Sequence, residues 1–160
     1  LSAAKVGVSS RVRRKLIILV AEDDPNDLEL VRTAVMRNGT EVELHETSNG
    51  EEVIQYLQGE GRFQDRQNFP LPDLLLLDIK MPRVDGLEVL RWLHANPKCA
   101  KLPVVMLSGS GLEKDVEDAY RHGVNTYFAK PSEFEEMQKL IHALIEYWGM
   151  SELPRLSVTC

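Results

Sequence analysis

Apolar residues along the chain gather into short runs, separated by stretches in which they recur every three or four positions, the signature of strands alternating with amphipathic helices. Residues 15–21 (Lys-Leu-Ile-Ile-Leu-Val-Ala) form a continuous apolar run, as expected of a strand buried on both faces of a parallel sheet. The run stops at three acids, Glu22, Asp23 and Asp24. Asp24 followed by Pro25 reads as a helix N-cap with proline at the first helical position, and Leu28, Val31 and Val35 then recur at helical spacing until Asn38-Gly39. Val42, Leu44 and His45, set among Glu41, Glu43 and Glu46, suit a strand nearer the sheet edge. Asn49-Gly50-Glu51-Glu52 opens a second helix.

Residues 59–72 carry the clearest glycine and proline punctuation and read as an extended surface loop. A strand over 73–78 follows, then a helix bearing Leu87, Leu90 and Leu93, and a strand over 103–107 ending in Ser108-Gly109-Ser110-Gly111. A helix over 113–122 closes at Gly123, and a strand over 126–129 leads into Lys130-Pro131. The last helix is expected to open with a capping box, Ser132 and Glu135, and to present Phe134, Met137, Leu140, Ile141, Leu144 and Trp148 on one face. Five strands alternating with five helices predict a three-layer, doubly wound α/β fold. Ligand sites in such sheets lie beyond the carboxyl ends of the strands, near the reversal of strand order.

Composition narrows the function. The 160 residues are 43% hydrophobic and 28% charged, the range of one soluble domain. A net charge of −6 offers no footprint for a nucleic-acid backbone, and no apolar run approaches the ~20 residues that span a bilayer. Cytoplasmic localisation is the expectation. Cys99 and Cys160 lie far apart with no CxxC pattern, so free thiols are expected. The chain divides into a flexible leader (1–13), a folded domain (14–148) and a tail (149–160); the leader and the last ten residues lack periodic apolar faces and are expected to be disordered.

The residues that follow the strands are polar: Glu22 and Asp23, Asp78, Ser108 and Lys130. Any one acid at a strand end is more often a cap or a turn residue. Three carboxylates converging on one pocket, however, need raised pKa values or a bound cation. An all-oxygen donor set suits Mg²⁺ better than zinc or iron. Asp78 is then a plausible nucleophile toward phosphorus, with Lys130 and a Ser108 hydroxyl stabilising charge on the equatorial oxygens. An ionised nucleophile needs no general base, consistent with His45, His94, His122 and His142 standing at positions with no evident partners.

These residues, in the sequences Glu22-Asp23, Leu-Leu-Leu-Leu-Asp78-Ile-Lys-Met-Pro-Arg-Val-Asp-Gly, Val-Val-Met-Leu-Ser108-Gly and Tyr127-Phe-Ala-Lys130-Pro131, resemble the receiver domain of two-component response regulators across residues 14–148. The resemblance implies a flavodoxin-like sheet of order 2-1-3-4-5. It also implies Mg²⁺ (or Mn²⁺) bound by Asp23, Asp78 and the backbone carbonyl of Lys80, with Glu22 acting through water. Ser108, Gly109 and Lys130 would engage the phosphoryl group, Tyr127 would be the aromatic that follows the Ser108 loop inward, and Lys80 and Ser110 would tune phosphoryl lifetime. The Lys130-Pro131 peptide is expected to be cis, an isomer that proline alone tolerates readily. Glu22 stands where Asp is commoner in the family and Ser108 where Thr is commoner; both keep the chemistry. The 59–72 loop and the Glu-Tyr-Trp of the last helix further resemble single-domain receivers associated with bacterial phytochromes.

The implied function is a switch rather than an enzyme. Asp78 takes a phosphoryl group from a sensor histidine kinase or phosphotransfer protein, and the signal leaves through a protein partner or a homodimer formed on the fourth helix, fifth strand and fifth helix. Neither nucleic acid nor membrane is an expected partner, and the dozen residues after the last helix are too few for an effector domain. Three other readings compete. A phosphorylation-independent binding module on the same fold would usually lose part of the acid set. An aspartyl-phosphate phosphatase would want an acid two residues after the nucleophile, where Lys80 stands. A flavin or nucleotide carrier would want a glycine- or hydroxyl-rich loop at 22–24.

Overall fold

The computed structural model describes residues 14–38, 42–156 and 159–160; the predicted leader (1–13), Gly39 and Glu41 lie outside them. Five strands, β1 (Leu16–Ala21), β2 (Val42–Thr47), β3 (Leu74–Leu77), β4 (Val104–Ser108) and β5 (Thr126–Ala129), pair in parallel in the order β2-β1-β3-β4-β5. Between and after them run α1 (Pro25–Met36), α2 (Gly50–Gln58), α3 (Gly86–Ala95), α4 (Glu113–Arg121) and α5 (Phe134–Met150). This is the doubly wound α/β sheet that the alternating pattern predicts.

Strand pleating sorts the apolar runs into two cores. Leu19, Ala21, Leu75, Leu77, Val104 and Met106 face one way, onto the layer that holds α2 and α3. Ile18, Val20, Leu74, Leu76, Val105 and Leu107 face the other, onto α1 and α5. A continuous apolar strand is the consequence of burial on both faces, since neighbouring side chains point to opposite sides. β2, paired on one side only, is the least buried of the strands beside β5, as its interspersed glutamates suggest.

Local signals set most helix starts. Asp24 caps α1 by accepting from the Asn26 and Asp27 amides, and Asn49 caps α2 by accepting from Glu52. Asp85 and Glu88 form a reciprocal capping box at α3. The capping box expected at Ser132 and Glu135 does not form: α5 begins at Phe134, so Ser132 falls outside the N-cap position, and Glu133 occupies that position without a side-chain bond. The Lys130-Pro131 peptide is trans, correcting the cis expectation. Trans is the intrinsic preference of an X-Pro amide, and Lys130 reaches the neighbouring acids from it.

Three further expectations change. The 59–72 segment is not merely a surface loop. Phe63, in a 3-10 turn over Gly61–Phe63, is only 1% exposed, and Phe69 packs on the same core. Arg66 donates to the carbonyls of Tyr56, Leu57 and Phe69, closing the C-terminal end of α2. Nor is the tail without contacts: α5 extends to Met150, Leu153 packs beside the α1 and α5 core, and Leu156 packs on the opposite one. Finally, Cys99 and Cys160 are paired as a disulfide, with Cα atoms 5.7 Å apart, rather than free. A separation of 61 residues conceals that proximity until the tail folds back. No helix among the described residues is long and apolar enough to cross a membrane.

Candidate functional site

β1 and β3 are neighbours at the point where the strand order reverses, and both end in acids. Backbone pairing continues past the strand ends: the Asp78 amide donates to Ala21 (3.1 Å) and the Glu22 amide to Thr47 (3.1 Å). Glu22 and Asp78 are thereby held side by side, both buried, while Asp23 is exposed. One carboxylate oxygen from each of Glu22, Asp23 and Asp78 lies within 4.8 Å of the others. The three acids expected to converge do so.

Lys130, carried in by β5, neutralises this cluster. Its Nζ donates to Glu22 Oε2 (2.6 Å), Asp27 Oδ2 (2.9 Å) and Asp78 Oδ2 (3.1 Å), and its side chain is 9% exposed. The other oxygen of Asp78 accepts from the Ile79 amide at 2.7 Å, which fixes the carboxylate plane. Burial pushes the Glu22 carboxyl up to about 7, against the downward pull of Lys130 and the Asp24 amide; the Asp78 charge adds to the rise. For Lys130, burial works against the charge, but its bonds to Glu22 and Asp27 and the Asp78 charge outweigh that and hold the ammonium above the ordinary lysine range.

Ser108 ends β4 at 1% exposure, and its hydroxyl oxygen accepts from the Ser110 amide at 3.3 Å. The Lys130 amide donates to the Ser108 carbonyl at 2.8 Å, tying the β4 and β5 ends together. Gly109 is exposed, and a Cβ there would meet nothing within 4 Å. Ser110 is buried and turns its hydroxyl to Asp115 of α4. Tyr127 is half-buried and donates from its hydroxyl to the Ser110 carbonyl at 2.6 Å, and burial raises its pKa. Lys80 is exposed, in a loop whose backbone is pinned by Gly86, whose amide donates to Ile79 at 2.8 Å.

Two site features escaped the sequence reading. Asp27 sits one turn into α1, where it reads as an ordinary first-turn acid; its bond to Lys130 spans 103 residues. Gly86 reads as the start of a helix, yet a Cβ there would fall 2.1 Å from the Asp78 carbonyl oxygen. Three of the four histidines have partners that the sequence did not suggest: His45 with Glu43 (2.8 Å), His122 with Arg91 (3.4 Å) and His142 with Asn38. None of these bonds involves the acidic cluster.

Residues 18–142 match the model of the response regulator receiver domain. The response regulator Rcp1 of Synechocystis sp. is 33% identical over 132 residues, 82% of this chain and 88% of that protein. Its Mn²⁺-bound crystal structure superimposes with a TM-score of 0.79 at 32% identity, covering 88% of this chain and 99% of the other. The phosphorylated cyanobacterial phytochrome response regulator RcpA gives 0.81 at 31% identity, covering 89% and 100%. RPA3017, a response regulator in red light signaling of R. palustris, gives 0.82 at 34% identity, covering 88% and 99%. With its strand order, its strand-end acids and the Lys130 that joins them, this chain belongs to the response regulator receiver domain family.

Proposed function

We propose that this receiver is a phosphorylation switch in which Asp78 accepts a phosphoryl group from a phosphohistidine on a sensor kinase or phosphotransfer protein. The observation that carries the reading is the convergence of Lys130 on Asp78 beside Glu22 and Asp23. In this reading Asp78 attacks phosphorus with the oxygen that faces Lys130, and Lys130 shifts its donation from the carboxylates to a phosphoryl oxygen. Ser108 presents a hydroxyl to a second oxygen, and Tyr127 follows the Ser108–Ser110 segment by exchanging its bond to the Ser110 carbonyl.

The donor set is all oxygen and carries up to three negative charges, which fits a hard divalent cation. Asp23, Asp78 and the Lys80 carbonyl would hold Mg²⁺ or Mn²⁺, with Glu22 acting through water. When bound, the cation offsets negative charge on the phosphoryl oxygens. Lys80 and Ser110 set the lifetime of the product by controlling water near it, and the catalysis this site performs is its own phosphorylation and slow dephosphorylation.

The relatives named for phytochrome and red light signaling support a photoreceptor kinase as the donor. Output leaves through the α4, β5 and α5 face, either to a partner protein or to a second copy. Intact mass after incubation with Mg²⁺ and a small acyl phosphate tests the reading. One added phosphoryl group, lost in Asp78→Asn and with chelator, is expected. A folded, metal-binding protein that gains none, from either the small donor or a phosphohistidine kinase, is instead a phosphorylation-independent binding module.

A further inference from the structure

Cys99 lies in the connection from α3 to β4, at the end of the parallel sheet opposite Asp78. It is 0% exposed, and its backbone is held by bonds to Asn96 (3.0 Å) and from Leu102 (2.9 Å). Cys160 meets it from the tail with a Cα separation of 5.7 Å, inside the range a disulfide requires. The Cys160 amide donates to the Leu57 carbonyl at 3.0 Å, the carbonyl that also accepts from Arg66. Leu153 rests on the α1 and α5 core, whereas Leu156 and Cys160 rest on the opposite one, so the described parts of the tail join the two layers.

We propose that Cys99 and Cys160 are a redox-active pair that takes small-molecule disulfides of the glutathione class as oxidant, and whose oxidation state decides whether the tail end is fastened to α2 and α3. The unequal exposure of the two residues sets the order of events. Cys160, partly exposed, attacks one sulfur of the small disulfide as thiolate; that S–S bond breaks and one small thiol leaves. Cys99, buried beside it, then attacks the Cys160 sulfur of the mixed disulfide and expels the second small thiol. The protein loses two electrons and two protons, and both appear in the two small thiols. Reduction runs the same path backwards, entering at Cys160. Burial shields Cys99 from direct oxidation beyond the disulfide.

This pair is independent of the phosphorylation reading, since none of its contacts reaches the acidic cluster. The test incubates the full chain with oxidised glutathione, or with excess reduced glutathione, followed by alkylation, intact mass and tryptic mapping. Oxidation is expected to leave a monomer with no alkylated cysteine, in which peptide 99–101 is linked to peptide 156–160. The reduced protein should carry two adducts and melt roughly 4–15 °C lower. Cys160→Ser should melt like the reduced protein under both conditions, and should accept a phosphoryl group as the parent chain does. Two alkylated cysteines after oxidant, a link between two chains, or a melting temperature indifferent to oxidant would each overturn the proposal.

Discussion

The ammonium of Lys130 stands 3.1 Å from Oδ2 of Asp78, a contact made across 52 residues of sequence, and the same nitrogen serves Glu22 and Asp27. One cation therefore balances three acids, two of them buried. Removing it leaves those charges uncompensated, which is costly in a site largely shielded from water. Lys130→Ala is expected to destabilise the metal-free protein by about 3 kcal/mol. Millimolar Mg²⁺ should restore part of that loss, because a divalent ion supplies the missing charge. Denaturant melts with and without Mg²⁺ check both halves.

Glu22 supplies the pH dependence. Its carboxyl, raised by burial from 4.5 to about 7, binds more protons in the folded than in the unfolded chain between those values, so its contribution to stability falls as pH rises through that window. The stability of the parent relative to Glu22→Gln should drop by on the order of 1–3 kcal/mol between pH 5 and 8, measured without metal. A difference that is flat or rises with pH would show that Lys130 keeps Glu22 ionised throughout.

The glycines near the site divide sharply. Gly86→Ala would set a Cβ 2.1 Å from the Asp78 carbonyl oxygen, with the Ile79 Cα at 2.9 Å, so the backbone carrying Asp78 must move. A loss of about 3 kcal/mol or more and weaker divalent-ion binding are expected. Gly109→Ala meets nothing within 4 Å and should change stability by no more than about 0.5 kcal/mol. Thermal melts and metal titrations of the two variants side by side make the comparison.

Tyr127→Phe keeps the ring and removes the hydroxyl that donates to the Ser110 carbonyl and faces the Ser108 side chain. The expected loss is about 1 kcal/mol, the net worth of such a bond. Faster amide hydrogen exchange over residues 109–112 is expected with it, since that hydroxyl ties the segment to β5. Unchanged exchange would place the constraint on this segment with Ser110 and Asp115 instead.

What was legible in the chain is what short-range physics decides. Doubly buried strands show as continuous apolar runs, which located β1, β3 and β4 within a residue or so, and Asp24 and Asn49 announced their helices because a cap acts within three residues. The candidate site residues that follow strands directly, Glu22, Asp23, Asp78, Ser108 and Lys130, could be grouped from the chain because a parallel sheet brings its strand ends to one edge. Ser132 misled, since a cap pattern one residue out of register looks the same as one in place until packing selects the first turn of α5.

The remainder was decided by tertiary structure, for one physical reason: a contact between distant residues leaves no periodicity. Asp27 joins Lys130 only when α1 and β5 share the sheet edge, and Phe63 reaches the core beyond an α2 end closed by Gly59 and the Arg66 guanidinium. Cys99 and Cys160 meet only once the tail has crossed between the layers. The sequence by itself determined the alternation of elements and the chemistry at the strand ends. Which of those charged, aromatic and sulfur-bearing side chains touch was settled by chain return, where burial removes water and makes each partner matter.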